Sequence, residues 1–235
     1  MSVFSDPQSR GFARVTGLFY LSVAFIGPFA ILYVPAQIGV PGDAAATLNN
    51  LIAKRGLFMA GAGGEAAIML IEVVLAALLY TMFRVVNPTL SAMAGLARFG
   101  EAAVMGAMLL FSAAALSVAD PATAFGGIDE VQRAGLAATM VHAHDAGVWV
   151  WQLFFALHLA ILGQLVARSG LYPRLIGHAM TLGSVGYVLD TMSAFAFPNS
   201  GALAMVTGVF LAIVTLAEVS FALWLIIRGP RRAAA

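Results

Sequence analysis

Residues 71–101 read IEVVLAALLYTMFRVVNPTLSAMAGLARFGE, and this stretch decides the fold. An apolar run ends at Phe83, a short FRVVNP turn follows, and a second apolar run begins at once. Asn87-Pro88 suits a helix start, because asparagine caps a first turn and proline's missing N–H costs nothing there. The two runs cover about 57–83 and 89–118, each beyond the roughly 20 residues that a membrane helix needs. Across so short a turn they become antiparallel neighbours. Both carry charge: Glu72 in one, Arg98 and Glu101 in the other. Glu72 and Arg98 each lie about ten residues from the turn, or about 15 Å at 1.5 Å per residue, near the midplane of a ~30 Å core. The hairpin therefore predicts two membrane helices whose opposite charges meet at one depth.

The rest of the chain repeats the pattern. Of its 235 residues, 61% are apolar and 10% charged, with a mean hydropathy of +0.94. Soluble domains carry about 25% charged residues, so this balance belongs to a chain embedded in lipid. Apolar runs at about 15–37, 57–83, 89–118, 147–167, 174–197 and 203–227 predict an all-α, polytopic membrane helix bundle of six transmembrane helices. No repeat or low-complexity segment divides the chain, so residues 1–235 read as a single integral-membrane domain. The first run is longer than the roughly 7–15 apolar residues of a signal peptide and carries Pro28, so it reads as a retained helix. The longest break, residues 120–147, holds IDEVQRAGLAATMVHA, which suits a short interfacial helix.

Charge sets the orientation and removes some functions. Arg10, Arg14, Arg84, Arg168, Arg174, Arg228, Arg231 and Arg232 fall on one side; Lys54, Arg55 and Arg133 fall on the other. The positive-inside rule then places both termini in the cytoplasm, which reads as the bacterial cytoplasmic (inner) membrane. With a net charge of +1 and no basic block, nothing points to nucleic acid. The absence of cysteine excludes disulfides, thiolate metal sites and cysteine nucleophiles.

Ionisable residues inside a membrane are costly, so they mark candidate sites. Glu65 and Glu72 share a helix face; Arg98 and Glu101 are three apart on the next helix; His158, Asp190 and Glu218 lie one each on the last three. Glu72, Arg98, His158 and Glu218 count to similar depth, about 15 Å in. A buried polar layer of Glu72, Arg98, Glu101, His158 and Glu218 follows, with Asp190 and Glu65 further outward. Five acids face one arginine, and unpaired carboxylates in low dielectric take up protons or recruit a cation or water. Against that stands an ion-pair network that only holds helices together, and a His158 that only satisfies its two nitrogens.

The stretch VHAHDAGVWVWQLFFALHL, residues 141–159, gathers three of the four histidines. His144 and His158 are fourteen residues apart, about 21 Å along a continuous helix, too far to share a metal. His142, His144 and Asp145 are expected at the outer surface, with Asp145 capping the fourth helix and Trp149 and Trp151 in the interfacial belt. Only His158 then remains for a buried site. Glycines 61, 63, 64, 95, 100, 183 and 186 read as close helix contacts, and Pro28 and Pro35 as kinks in the first helix. Asp43, Thr47 and Asn50 suit turn and cap chemistry. No nucleophile elbow, phosphate loop or dinucleotide fingerprint occurs in a fitting context, and no discontinuous-helix pair is visible.

Several segments resemble the bacterial membrane family known as domain of unknown function 4386. They are GPFAILYVP (27–35), VPGDAAATLNNL (40–51), ARFGEAA (97–103), HDAG (144–147), LFFALHLAILGQLVARSGLYPRLIG (153–177) and GYVLD (186–190). Asp43, Thr47, Asn50, Arg98, Glu101, Asp145, His158, Arg168 and Asp190 match its pattern. The resemblance implies a multi-helix inner-membrane protein and carries no activity, cofactor or substrate with it. Three functional readings stand at this point. One is a small transporter or sensor responding to a proton, cation or small ligand at the polar layer. Another is an intramembrane enzyme using His158 and carboxylates, with or without a metal. The third is a structural or partner-binding subunit. The lipid bilayer is the expected partner, a small ligand or ion is compatible with the layer, and an oligomer is compatible with the surface.

Overall fold

Proline decides the shape of the first helix. The computed structural model describes residues 4–120, 122 and 127–231; Arg232 and part of the 120–147 segment lie outside the described residues. Helix α1 (Arg10–Gly27) passes into a π-helical segment (Pro28–Tyr33) and then into α2 (Val34–Ile38). Pro28 has no N–H to donate, and the wider pitch lets Val34 N–H reach the Phe29 carbonyl instead. The expected distortion at Pro28 is thus a change of pitch.

Residues 37–56, expected to be a break, contain a helix. In α3 (Ala44–Ala53), Asp43 Oδ1 accepts from Ala46 N–H at 2.8 Å, Thr47 Oγ1 from Val40 N–H at 3.0 Å, and Asn50 Nδ2 donates to the Ile38 carbonyl at 3.1 Å. The turn and cap roles read for these three side chains are the ones they hold. Helix α4 (Arg55–Phe83) follows, then α5 (Pro88–Ala119), whose first turn is capped by Asn87 Oδ1 from Leu90 N–H at 2.9 Å. The hairpin read from residues 71–101 is present: Ser91 Oγ donates to the Tyr80 carbonyl at 2.8 Å across it.

Helix α6 runs unbroken from Glu130 to Arg168. The expected boundary at Gly147 and the Asp145 cap are therefore corrected: both residues lie mid-helix. The helix is capped much earlier, where Asp129 Oδ1 accepts from Gln132 N–H at 2.8 Å and Gln132 Oε1 accepts from Asp129 N–H at 3.0 Å, a reciprocal box. Gly147 faces the Met108 side chain with no room for a Cβ, so this glycine marks close packing where it had looked like a helix end.

The fifth apolar run divides into α7 (Arg174–Gly183) and α8 (Val185–Ala196), and α9 (Gly201–Ile227) closes the described chain. At the join Ser184 Oγ donates to the Thr181 carbonyl at 2.8 Å, and Tyr187 N–H turns to the Ser184 carbonyl. The distortion expected in the first run is thus present as a change of pitch, whereas the fifth run, expected as one helix, is broken at Ser184. Five helical stretches, Arg10–Ile38, Arg55–Phe83, Pro88–Ala119, Glu130–Arg168 and Gly201–Ile227, are each long and apolar enough to cross a membrane. Large apolar side chains point outward along them, as at Leu96, Leu110 and Leu216, which are 69%, 72% and 70% exposed. On a soluble surface this would be unfavourable; against acyl chains it is the stable arrangement. The chain is an all-α, multi-pass membrane protein.

Contacts divide the described residues into two units. The first draws on Met1–Ala24, Ile71–Ala102 and Trp149–Ala235, with a core around Phe12, Leu75, Phe83, Leu159, Tyr172 and Phe221. Gly163 and Gly177 let α6 and α7 touch at the backbone, and Gly183 and Gly186 do the same for α7 and α8 against Val214 and Phe210 of α9. The second unit draws on Phe25–Leu70 and Ala103–Val148, with Ile38, Leu51, Ala115 and Ala137 fully or almost fully enclosed. There Gly61 and Gly64 admit Val34 and Ala30.

Candidate functional site

Within the first unit, α4 presents Glu72, α5 presents Arg98 and Glu101, α6 presents His158, α9 presents Glu218 and α1 adds Tyr20. Glu72, Arg98, Glu101 and His158 are sealed from solvent, none more than 1% exposed. Arg98 Nε stands 2.5 Å from Glu72 Oε2 and 3.9 Å from Glu101 Oε1. Arg98 Nη1 lies 2.8 Å from His158 Nε2, and His158 Nδ1 lies 2.8 Å from the Ala94 carbonyl. A guanidinium only donates and a carbonyl only accepts, so the ring is neutral, accepting at Nε2 and donating from Nδ1. Tyr20 and Phe155 hold the guanidinium between their rings, 5.0 and 5.8 Å from the Arg98 Cζ. The Tyr20 hydroxyl donates to Glu218 Oε1 at 2.8 Å.

This arrangement leaves carboxylate oxygens over. Arg98 meets Glu72 and Glu101 as charge contacts, the second at 3.9 Å being too long for a hydrogen bond, and no carboxylate oxygen of Glu72 or Glu101 has a hydrogen-bond donor among the described residues. Glu72 and Glu101 thus share one buried guanidinium, and a third acid, Glu218, joins the group through the Tyr20 hydroxyl. His158 has no lone pair free to hold a metal or take a proton, because Arg98 occupies the only one. Among the described residues no group of three His, Asp or Glu side chains is arranged to hold a metal ion.

The family model described as Domain of unknown function (DUF4386) matches residues 15–229. The chain belongs to that family. An uncharacterized protein of Archaeoglobus fulgidus is similar to it, 30% identical over 164 residues that cover 70% of this chain and 80% of the relative. No solved structure matches the chain. In this DUF4386 chain the segment ARFGEAA holds both Arg98 and Glu101, and LFFALHL holds Phe155 and His158.

The two acids expected further outward, Asp190 and Glu65, bond apart from the layer. Asp190, on α8, accepts from Gln152 Nε2 at 2.8 Å, and Thr191 Oγ1 stands 3.1 Å from Gln152 Oε1 and from the Trp149 carbonyl. Glu65 belongs to the second unit, where its two carboxylate oxygens lie 3.0 and 2.9 Å from His144 Nε2. His144 Nδ1 in turn lies 3.2 Å from Asp145 Oδ1. The surface placement of His144 is therefore corrected. It is 7% exposed, because α6 continues through this point and turns the ring toward α4. Beside the pair lies a cavity of about 20 Å³, lined by Glu65, Ser112 and His144, with room for one water. Reading the chain missed Tyr20, Gln152 and His144. Tyr20 had a signal, a hydroxyl amid an apolar run; Gln152 had one too, a lone amide between tryptophan and phenylalanine.

Proposed function

We propose that this DUF4386 chain crosses the bacterial cytoplasmic membrane six times with both termini inside, and that it works as a small proton-responsive transporter or sensor. The site is the group Glu72, Arg98, Glu101 and Glu218, which takes up and releases a proton. One observation carries this reading: among the described residues, four buried carboxylate oxygens, those of Glu72 and Glu101, lack a hydrogen-bond donor beside a single guanidinium. Fully ionised, three acids and one arginine leave excess negative charge in a low dielectric, which is relieved by binding a proton. The enzyme reading loses support, since both nitrogens of His158 are engaged.

The span count has its own support. Arg10, at the start of α1, donates from Nε to the carbonyl of Arg228, just past the end of α9, at 3.1 Å. This contact between the start of α1 and the residue after α9 supports an even number of crossings. With five long helices, it favours α7 and α8 together as the sixth. Their 174–196 path, at 1.5 Å per residue, reaches about 34 Å, enough for a ~30 Å core.

The test is difference infrared spectroscopy of the protein in liposomes through a pH cycle, following the carbonyl stretch of protonated carboxyl groups. A band that appears and disappears with pH, and that Glu72→Gln and Glu101→Gln each alter, supports the reading. A spectrum free of any such band, or one indifferent to both substitutions, leaves the group as a structural ion-pair network.

A further inference from the structure

The contact between the first and last helices of the first unit also builds a cleft. It encloses about 930 Å³ and is lined by Asp6, Gln8, Arg10, Trp224, Arg228 and Arg231 among others. The chain beyond α9 turns back at Gly229, whose positive φ of +69° leaves its backbone packed on the Arg10 side chain. Trp224 Nε1 donates to the Gly229 carbonyl at 3.0 Å, and Arg231 N–H to the Leu171 carbonyl at 2.9 Å. The walls are therefore held by hydrogen bonds to backbone carbonyls. The Arg231 guanidinium lies over the Trp224 ring, 5.5 Å from its centre. Arg14, one turn into α1, anchors its Nε on the Ile226 carbonyl at 3.2 Å, as Arg10 does on Arg228.

Charge in the cleft is one-sided. Among the described residues, none of Arg10, Arg14, Arg228 and Arg231 has a carboxylate within 4.0 Å. Asp6 is the one acid lining it among the described residues, and its Oδ1 accepts from its own turn, at Gln8 N–H, 2.9 Å. Arginine anchored at Nε keeps its Nη groups for a second, planar partner, the geometry that suits phosphate. Below the cleft α9 exposes Leu223 and Ile227, 41% and 61% open, as apolar as an acyl chain requires. We propose that this cleft binds an anionic phospholipid, the headgroup phosphate held by Arg10, Arg228 and Arg231 and the acyl chains lying along α9. Its chemistry is independent of the proton site and of the direction in which the chain crosses the membrane. A soluble phosphate shares the headgroup chemistry but gains nothing from Leu223 and Ile227.

Native mass spectrometry of the full chain, released from bilayers of equal phosphatidylglycerol and phosphatidylcholine, decides the matter. Phosphatidylglycerol should stay bound preferentially, and Arg10→Gln/Arg231→Gln should weaken it by about fivefold for each arginine removed. Arg84→Gln, an exposed arginine at another helix end and absent from the cleft lining, should leave the preference intact. Equal retention of the two lipids overturns the proposal. So does an equal loss in Arg84→Gln, which would mean general surface charge. Displacement of the lipid by millimolar inorganic phosphate would overturn the lipid assignment in favour of a free-phosphate site. All the substituted side chains are exposed, so melting temperatures near wild type should accompany every variant.

Discussion

His158 Nε2 accepts a hydrogen bond from Arg98 Nη1 at 2.8 Å, with the Ala94 carbonyl holding the other ring nitrogen at 2.8 Å. The imidazole is thus a neutral positioning group for the guanidinium. His158→Leu leaves a buried N–H without an acceptor, at a cost of about 1–3 kcal/mol. His158→Gln, whose side-chain oxygen also accepts, should recover part of that. Thermal unfolding in detergent measures both, and a His158→Leu variant as stable as wild type would contradict the role.

Among the described residues, Arg98 is the only cation paired with Glu72 and Glu101. Arg98→Leu therefore strands two buried carboxyl groups and should destabilise the fold by about 3–5 kcal/mol. Adding Glu72→Leu removes one stranded group and should return some of the loss. Strict additivity of the two substitutions in denaturant unfolding would mean that the residues are not coupled.

In the second unit the test is the Glu65–His144 pair. His144→Leu leaves the Glu65 carboxylate, 3% exposed, without its donor, and a loss of about 3–5 kcal/mol is expected. The double variant His144→Leu/Glu65→Leu should be more stable than the single one. If His144 were at the surface, as its sequence context first reads, neither change would be felt.

Two glycines separate packing from composition. A Cβ at Gly163 runs into the Gly177 carbonyl and Thr181, so Gly163→Ala should cost about 1–3 kcal/mol by pushing α6 from α7. At Gly63 a Cβ meets nothing, and Gly63→Ala should stabilise α4 by about 1 kcal/mol or less. Paired melting curves check both; equal shifts in one direction would refute the contact.

Tyr172 sits in the link between α6 and α7, and burial pushes its hydroxyl above the usual phenol range. The folded state therefore holds this proton more tightly than the unfolded chain. Its contribution is complete below the unfolded value of about 10 and is lost as pH rises beyond that, through the higher folded value. Unfolding followed from about pH 9 to about pH 11 should show declining stability, and Tyr172→Phe should make the decline shallower. An unchanged slope would remove Tyr172 from the titration.

Much of this molecule is determined by local pattern. Apolar runs of membrane length, Asn87-Pro88 at the turn and the equal offsets of Glu72 and Arg98 from it were enough to place two charges opposite each other. That inference works because a short turn leaves antiparallel helices no freedom of register, so counting residues measures depth. Cap residues were equally legible, since Asp43 and Asn87 bond within a few residues of themselves.

Tertiary structure alone decided the rest. Asp145 and Gly147 carry the signature of a helix end, yet α6 passes through them, because Gly147 is there to admit Met108 and Asp145 to face His144. Whether a glycine ends a helix or lets another side chain in depends on what lies across from it, and that is not written in its neighbours. The same holds for Tyr20, 198 residues from the Glu218 that it bonds, and for the pairing of His144 with Glu65. Composition told that buried charges need partners. Only the packing of distant helices chose them, since in lipid the hydrophobic effect does not select one neighbour over another, and shape and hydrogen bonding do.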